Sequence, residues 1–323
     1  MLEIIYIYIA ILLFILELIY FEAANKFNII DQPNHRSSHT SVTLRGGGII
    51  FPIALLLYPL YFGFKYKYFL LGLATVLVIS FIDDIKPVSN KLRIVFHLIA
   101  VTLMFHQLGL FDLSFYWIIL ALILVIGSIN AINFMDGING ITGSYTLITL
   151  CSLLYINSSI IEFVVPSFLI TSIISVVVFN FFNFRKKARC FAGDVGSVSI
   201  AFIILFFLLL LIIKTENFSY LLLLLLYGLD AVTTICFRLI RKENIFDAHR
   251  SHFYQYLANE KKMPHLLVSS IYALSQLIIN VVVLFWMPYS VIAFVLFLLV
   301  SALLFLTMRL LTEGSSKLFG TTA

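Results

Sequence analysis

The chain has 323 residues, of which 62% are hydrophobic and only 11% charged, with a mean hydropathy of +1.07 and a formal net charge of +5. So little polar surface cannot coat a soluble globule, which excludes a soluble enzyme or a soluble binding module. The excess positive charge sits in short loop clusters rather than in a stripe interleaved with aromatic residues, so it speaks for membrane topology and against a nucleic-acid partner.

Apolar stretches of about 17 to 25 residues, the length that crosses about 30 Å of hydrocarbon, recur from one end to the other. The first, "MLEIIYIYIAILLFILELIYF", carries Glu3 and lacks both a basic n-region and a small-residue cleavage site, so it reads as a retained span. Polar interruptions place spans near 2–22, 46–62, 67–82, 92–108, 116–134, 138–156, 162–182, 196–213, 219–239, 266–286 and 290–309. The expected fold is an all-α integral membrane protein of about eleven transmembrane helices, a single polytopic domain over 1–323. Alternate connections and the tail, where Arg309 and Lys317 are placed, hold eighteen of the 21 Lys and Arg, and the opposite side has only Lys65, Lys67 and Lys214. The positive-inside rule then puts the cationic loops and the C-terminus in the cytoplasm and the N-terminus on the periplasmic side. Cys151, Cys190 and Cys236 are scattered and leave one over from any pairing, which argues against a disulfide framework or a zinc site.

The unusual polar groups share one face. They fall in the expected cytoplasmic loops near 23–45, 83–91, 135–139, 183–195 and 240–265, and include Asp31, His35, Arg36, His39 and Arg45 in the first of these. A transporter of a lipid-linked or nucleotide sugar is the alternative, but it would hold ionisable groups near the midplane, in broken helices and related half-repeats. This pattern indicates an enzyme at the membrane surface.

In "FIDDIKPVSNKLR", Asp83 and Asp84 stand at the end of a span, ahead of Lys86, Lys91 and Arg93. A single Asp there is commonly a solvated helix end. Two adjacent carboxylates disfavour joint ionisation, and each would cost about 2.5 to 3.5 kcal/mol at mid-bilayer, so the pair calls for a counter-ion: a hard divalent cation such as Mg²⁺, or a basic substrate group. In "INAINFMDGING", the i, i+3 spacing of Asn130, Asn133 and Asp136 suits one helix face, with Gly137 and Gly140 ending the helix; a polar terminal turn is the plainer reading. "FAGDVGS" sets Asp194 between glycines before a helix, as a cap or as a metal ligand beside a helix N-terminus suited to phosphate. The glycines of "RGGGI" match neither a Walker loop nor a dinucleotide fingerprint and are best read as close helix packing. "DAHRSHFYQYL" adds His249, Arg250 and His252, and cationic donors beside several carboxylates imply a polyanion bound through a metal.

Taken in order, "DQPNHRSSHTSVTLRGGGI", "FIDDIKPVSNKLR", "NAINFMDGING", "FAGDVGS" and "HRSHFYQ" resemble the polyprenyl-phosphate N-acetylhexosamine-1-phosphate transferases, glycosyltransferase family 4, over about residues 30 to 257. The resemblance implies transfer of a sugar 1-phosphate from a UDP-N-acetylhexosamine to undecaprenyl phosphate, with release of UMP and a requirement for Mg²⁺, in the bacterial inner membrane; a homodimer is compatible with it. It makes Asp83 and Asp84 activators of the lipid phosphate that help with the metal, and Asp194 the leading Mg²⁺ ligand. It gives Asn133 and Asp136 to the nucleotide sugar, with Asn130 and Asn139 beside them, and Arg45, Lys91, Arg93, His249, Arg250 and His252 to substrate binding. One departure is Asn139, where the family commonly has Asp. Eleven spans fit the family's GlcNAc-1-phosphate transferring branch, and "HRSHFYQ", which lacks a triple-histidine run, is similar to the enzymes that initiate O-antigen or other surface polysaccharides, including those that use UDP-linked deoxy-N-acetyl sugars, which disfavours peptidoglycan synthesis.

Overall fold

The computed structural model describes residues 2–33, 42–245 and 249–320; His35, Arg36, His39 and Asp247 lie outside the described residues. In chain order the helices are α1 (Leu2–Lys26), α2 (Ile50–Leu57), α3 (Pro59–Phe62), α4 (Lys67–Ile85), α5 (Asn90–Leu108), α6 (Phe115–Phe134) and α7 (Ile141–Ser159). They continue with α8 (Pro166–Asn183), α9 (Gly193–Thr215), α10 (Leu225–Ile240), α11 (Phe253–Asn259), α12 (His265–Phe285), α13 (Val291–Glu313) and α14 (Ser315–Phe319). Among the described residues, nine helices are long and apolar enough to cross a membrane: α1, α4, α5, α6, α8, α9, the helix Phe218–Ile240 that includes α10, α12 and α13.

The other two expected spans take a different form. Residues 46–62 become a 3-10 turn at Gly47–Ile49 followed by α2 and α3, interrupted at Tyr58 because Pro59, lacking an N–H, starts a new helix. α7 is 19 residues long but falls outside the apolar set. Its Thr142, Thr146, Thr149 and Ser152 are buried against protein, and Thr149 and Ser152 return their hydroxyls to the carbonyls of Tyr145 and Ile148 one turn back. At the far end, α13 continues to Glu313, so Arg309, expected in the tail, is a buried helix residue.

Burial grades from centre to rim. The apolar window of α9 is 83% buried and that of α13 only 6%, so α9 is the protein-surrounded axis while α13 shows its apolar surface outward. Phe69 of α4 stacks on Phe202 and Phe206 of α9, at 5.3 and 3.9 Å between ring centres, which keeps those two helices side by side.

One small non-helical feature matters for the site. Ile30–Asp31 (β1) pairs antiparallel with Thr43–Leu44 (β2), and Leu44 bridges Cys190. The backbone then stays in register: Phe191 donates to the Leu44 carbonyl, Gly47 to that of Phe191 and Gly48 to that of Ala192. Glycine permits this approach, since a Cβ on Gly48 would lie 2.4 Å from Gly196 Cα. The segment before α9 is thus stitched to the segment before α2, and Arg45 is delivered to the N-terminus of α9.

Candidate active site

α4 and α9 present their aspartates to each other. Asp84, with a fully buried side chain, accepts the backbone N–H of Asp194 and of Val195, each at 2.9 Å, and the Nε–H of Arg45 at 2.6 Å. Those two amides belong to the first turn of α9 and have no acceptor within their own helix, so Asp84 caps α9 from another span. Asp83 turns elsewhere. It accepts from Val88 N–H at 2.6 Å and from Arg93 Nη1 at 2.9 Å, as expected when adjacent helical residues point about 100° apart.

Asp194 stands between them with a side chain 22% exposed. Arg45 and Arg93 reach it at 3.6 and 4.0 Å, so each guanidinium bridges Asp194 to one member of the aspartate pair. The Asp83 and Asp194 carboxyls also lie in hydrogen-bonding proximity, a juxtaposition of two acids that calls for a proton or a cation. Lys86 and Lys91 are exposed, with no polar partner among the described residues.

The donor chemistry fits a hard divalent cation: Asp83, Asp84 and Asp194 supply only oxygens, and their negative charge exceeds that of the two arginines. Among the described residues no three His, Cys, Asp or Glu side chains form a ready-made ligand group. Asp194, the most open of the three, is the residue best placed to supply a ligand.

The asparagine motif divides in three. α6 ends at Phe134, so Asp136 lies past the helix rather than on a face shared with Asn130 and Asn133. Asn130 donates to the Ile126 carbonyl of its own helix at 2.9 Å. Asn133 Oδ1 accepts from the Ser197 hydroxyl, joining α6 to the first turn of α9. Asp136 accepts from Thr142 Oγ1 at 2.6 Å; burial pushes its carboxyl up to about 6, the Thr142 hydrogen bond opposes this, and the nearby Asp84 charge adds to it. Asn139 is buried and donates to the carbonyls of Arg185 and Lys186 at 3.0 and 3.2 Å. An ionised Asp could make neither bond, which gives a physical reason for an amide there.

The histidine loop packs on the end of α6. The His249 and His252 rings stack at 5.0 Å, and Phe134 lies 6.0 and 6.3 Å from them. Burial pushes His249 down to about 4, with His252 and Arg238 adding positive charge nearby. Arg250 lines a cavity of about 220 Å³ with Arg241, Glu243, Tyr256 and Lys317.

Two residues that anchor this loop escape motif reading. Asp230, fully buried in α10, accepts from Phe253 and Tyr254 N–H at 2.9 and 3.2 Å and from the Tyr272 hydroxyl at 2.6 Å, and meets His252 Nδ1 at 3.3 Å. Arg309 donates to Thr233, Thr234 and the Ser251 carbonyl, each at 2.9 Å, and pairs with Glu313 at 2.6 Å. The signal for Asp230 was present in the sequence: a lone carboxylate within the apolar run "LLYGLDAVTT" has no bland explanation in a membrane.

Helices of membrane-spanning length thus gather acids, bridging guanidinium groups and amide side chains at their ends. The family model of glycosyl transferase family 4 matches residues 66–212, a stretch that contains Asp83, Asp84, Asn133, Asp136 and Asp194. The match covers 147 of the 323 residues, a little under half of the chain. It begins after Arg45 and ends before the histidine loop. No curated protein sequence matches the chain.

Proposed function

We propose that the chain transfers a sugar 1-phosphate from a UDP-N-acetylhexosamine to undecaprenyl phosphate, releases UMP, and so initiates a lipid-linked O-antigen or other surface polysaccharide. In this reading it has eleven spans in the bacterial inner membrane, with the site on the cytoplasmic side. The observation that carries it is the doubly bridged triad of Asp83, Asp84 and Asp194 at the end of membrane-crossing helices. A lipid tail confines the acceptor phosphate to that boundary, and there the triad is found.

An oxygen of the acceptor phosphate attacks the sugar-bearing phosphorus, the bond from that phosphorus to the bridging oxygen breaks, and the bridging oxygen leaves with UMP. Mg²⁺, held by Asp194 with Asp83 and Asp84 behind it, would neutralise charge on the diphosphate and on the departing UMP. Asp83, the less buried member of the pair, takes or directs the acceptor's proton and aims its oxygen. Arg45 and Arg93 reorient from the carboxylates toward phosphate oxygens, which a guanidinium binds equally well. Asn133 at the end of α6 and Asp136 just past it hold the nucleotide sugar, and the histidine loop closes that side.

The test is UMP release by purified protein in detergent, given undecaprenyl phosphate, Mg²⁺ and a panel of UDP-N-acetylhexosamines. At least one donor should yield UMP and a lipid-linked sugar diphosphate in equal amounts. No release from any donor would overturn the reading.

A further inference from the structure

We propose that Asp230 and His252 form a carboxylate–imidazole pair, in which Asp230 is a positioning residue that fixes the His252 tautomer with hydrogen on Nδ1 and presents Nε2, as an acceptor, to a hydroxyl or N–H group of the nucleotide-sugar donor. The proposal rests on the function given above, and its geometry stands by itself.

The other groups that contact Asp230 are donors: the backbone N–H of Phe253 and Tyr254, and the hydroxyls of Tyr272 and Thr234. A carboxylate set among donors acts as an acceptor, so the ring nitrogen that meets it at 3.3 Å, His252 Nδ1, is the one that carries hydrogen. Nε2 is left to act on something else. It is buried, and among the described residues it has no hydrogen-bond partner, although the residue is only 2% exposed. A buried polar atom without a partner is uncommon in a finished structure and points to a missing ligand.

The ring also cannot drift. Arg309 grips the Ser251 carbonyl just before it, Asp230 grips the two amides just after it, and His249 stacks on its face. The titratable groups around His252 are Asp230 from α10, Tyr254 from α11, Tyr272 from α12, Arg309 from α13 and His249 from its own loop; α6 contributes the Phe134 ring. Asp230 is the only acid that touches the ring among the described residues. Tyr254, which follows on α11, donates to the Phe134 carbonyl at 2.9 Å, so the loop is tied to the end of α6, which carries Asn133 and is followed by Asp136.

Two readouts test this. Asp230→Asn should lower kcat/KM for the UDP-sugar roughly 10- to 100-fold, the usual cost of removing a group that orients a functional histidine, while KM for undecaprenyl phosphate stays put. The double variant with His252→Gln should be no slower than His252→Gln alone, since the carboxylate acts through the ring. Losses that multiply, or a KM for undecaprenyl phosphate that rises alongside, would overturn the proposal.

If Asp230→Asn does not fold, nitrogen-15 NMR of histidine-labelled wild-type protein decides instead, with His252 assigned by difference from His252→Gln. Above its titration the neutral ring should carry hydrogen on Nδ1; hydrogen on Nε2 would sink the idea. Wild-type protein that releases no UMP from any donor would count against the proposed function, while the tautomer measurement still tests the pair.

Discussion

Asp84 and Asp194 are joined through the backbone: the Asp84 carboxylate on α4 accepts the N–H of Asp194 at 2.9 Å and closes the N-terminus of α9. The bond places the most open acid of the site by means of the most buried one. Of the two adjacent aspartates, therefore, Asp84 joins α4 to α9, while Asp83, held by Val88 and Arg93, is the one to which the proposed function gives the acceptor phosphate.

Replacing Asp84 with Asn should cost structure as well as activity. The amide would turn N–H groups toward donors and leave Arg45 without its buried counter-charge, and breaking such a pair costs roughly 3–5 kcal/mol. Thermal melting in detergent should show a large fall in Tm; a wild-type Tm with only a weaker Mg²⁺ response would return Asp84 to a purely metal-binding role.

Asp194→Asn should behave differently. Its side chain is the most open of the three and meets Arg45 and Arg93 only at 3.6 and 4.0 Å, and an amide can still hydrogen-bond the neighbouring Asp83, so the fold should persist while the rate falls on the order of 10³-fold through lost transition-state stabilisation. Near-normal turnover in a membrane-inserted variant would leave Asp194 as a plain first-turn acid of α9.

Asp83→Asn should abolish transfer while UDP-sugar binding, measured by calorimetry, is retained. Exchange of isotope between UMP and UDP-sugar in the absence of any lipid acceptor should not be seen. Its appearance would support a covalent phosphosugar on the enzyme and count against direct attack.

Topology can be read with single cysteines. One at Ser89, which caps α5 beside Arg93, should label only after the membrane is opened, and one at Asn217, at the other end of α9, should label in intact spheroplasts. The reverse pattern would move the site to the outer side of the membrane.

His249 links stability to acid pH. Its folded pKa, pushed down to about 4, lies below the ordinary 6.5, so the neutral ring's contribution is complete above about pH 6.5 and is lost as pH falls toward 4. Melting temperatures across that window should drop more steeply for wild type than for His249→Gln; parallel curves would show that this ring is not the titrating group.

Chain order and composition alone were enough to show a helical membrane protein. Hydropathy needs no partner to be read: a residue's transfer energy into lipid is its own, so nine of the expected spans appear as apolar helices of spanning length. Asp83, Asp84 and Asp194 were legible for a related reason, since an acid at a membrane boundary needs a local explanation. Pairing is not local. That Asp84 caps α9, that Asn139 secures the 185–186 turn, and that Asp230 and Arg309 brace the histidine loop each depend on groups many residues apart along the chain. Only the packing of α4 against α9, and of α10 and α13 around one loop, decides which polar group meets which. A buried carboxylate can be stabilised by amides, hydroxyls or guanidinium groups alike, and sequence spacing does not say which of them will arrive.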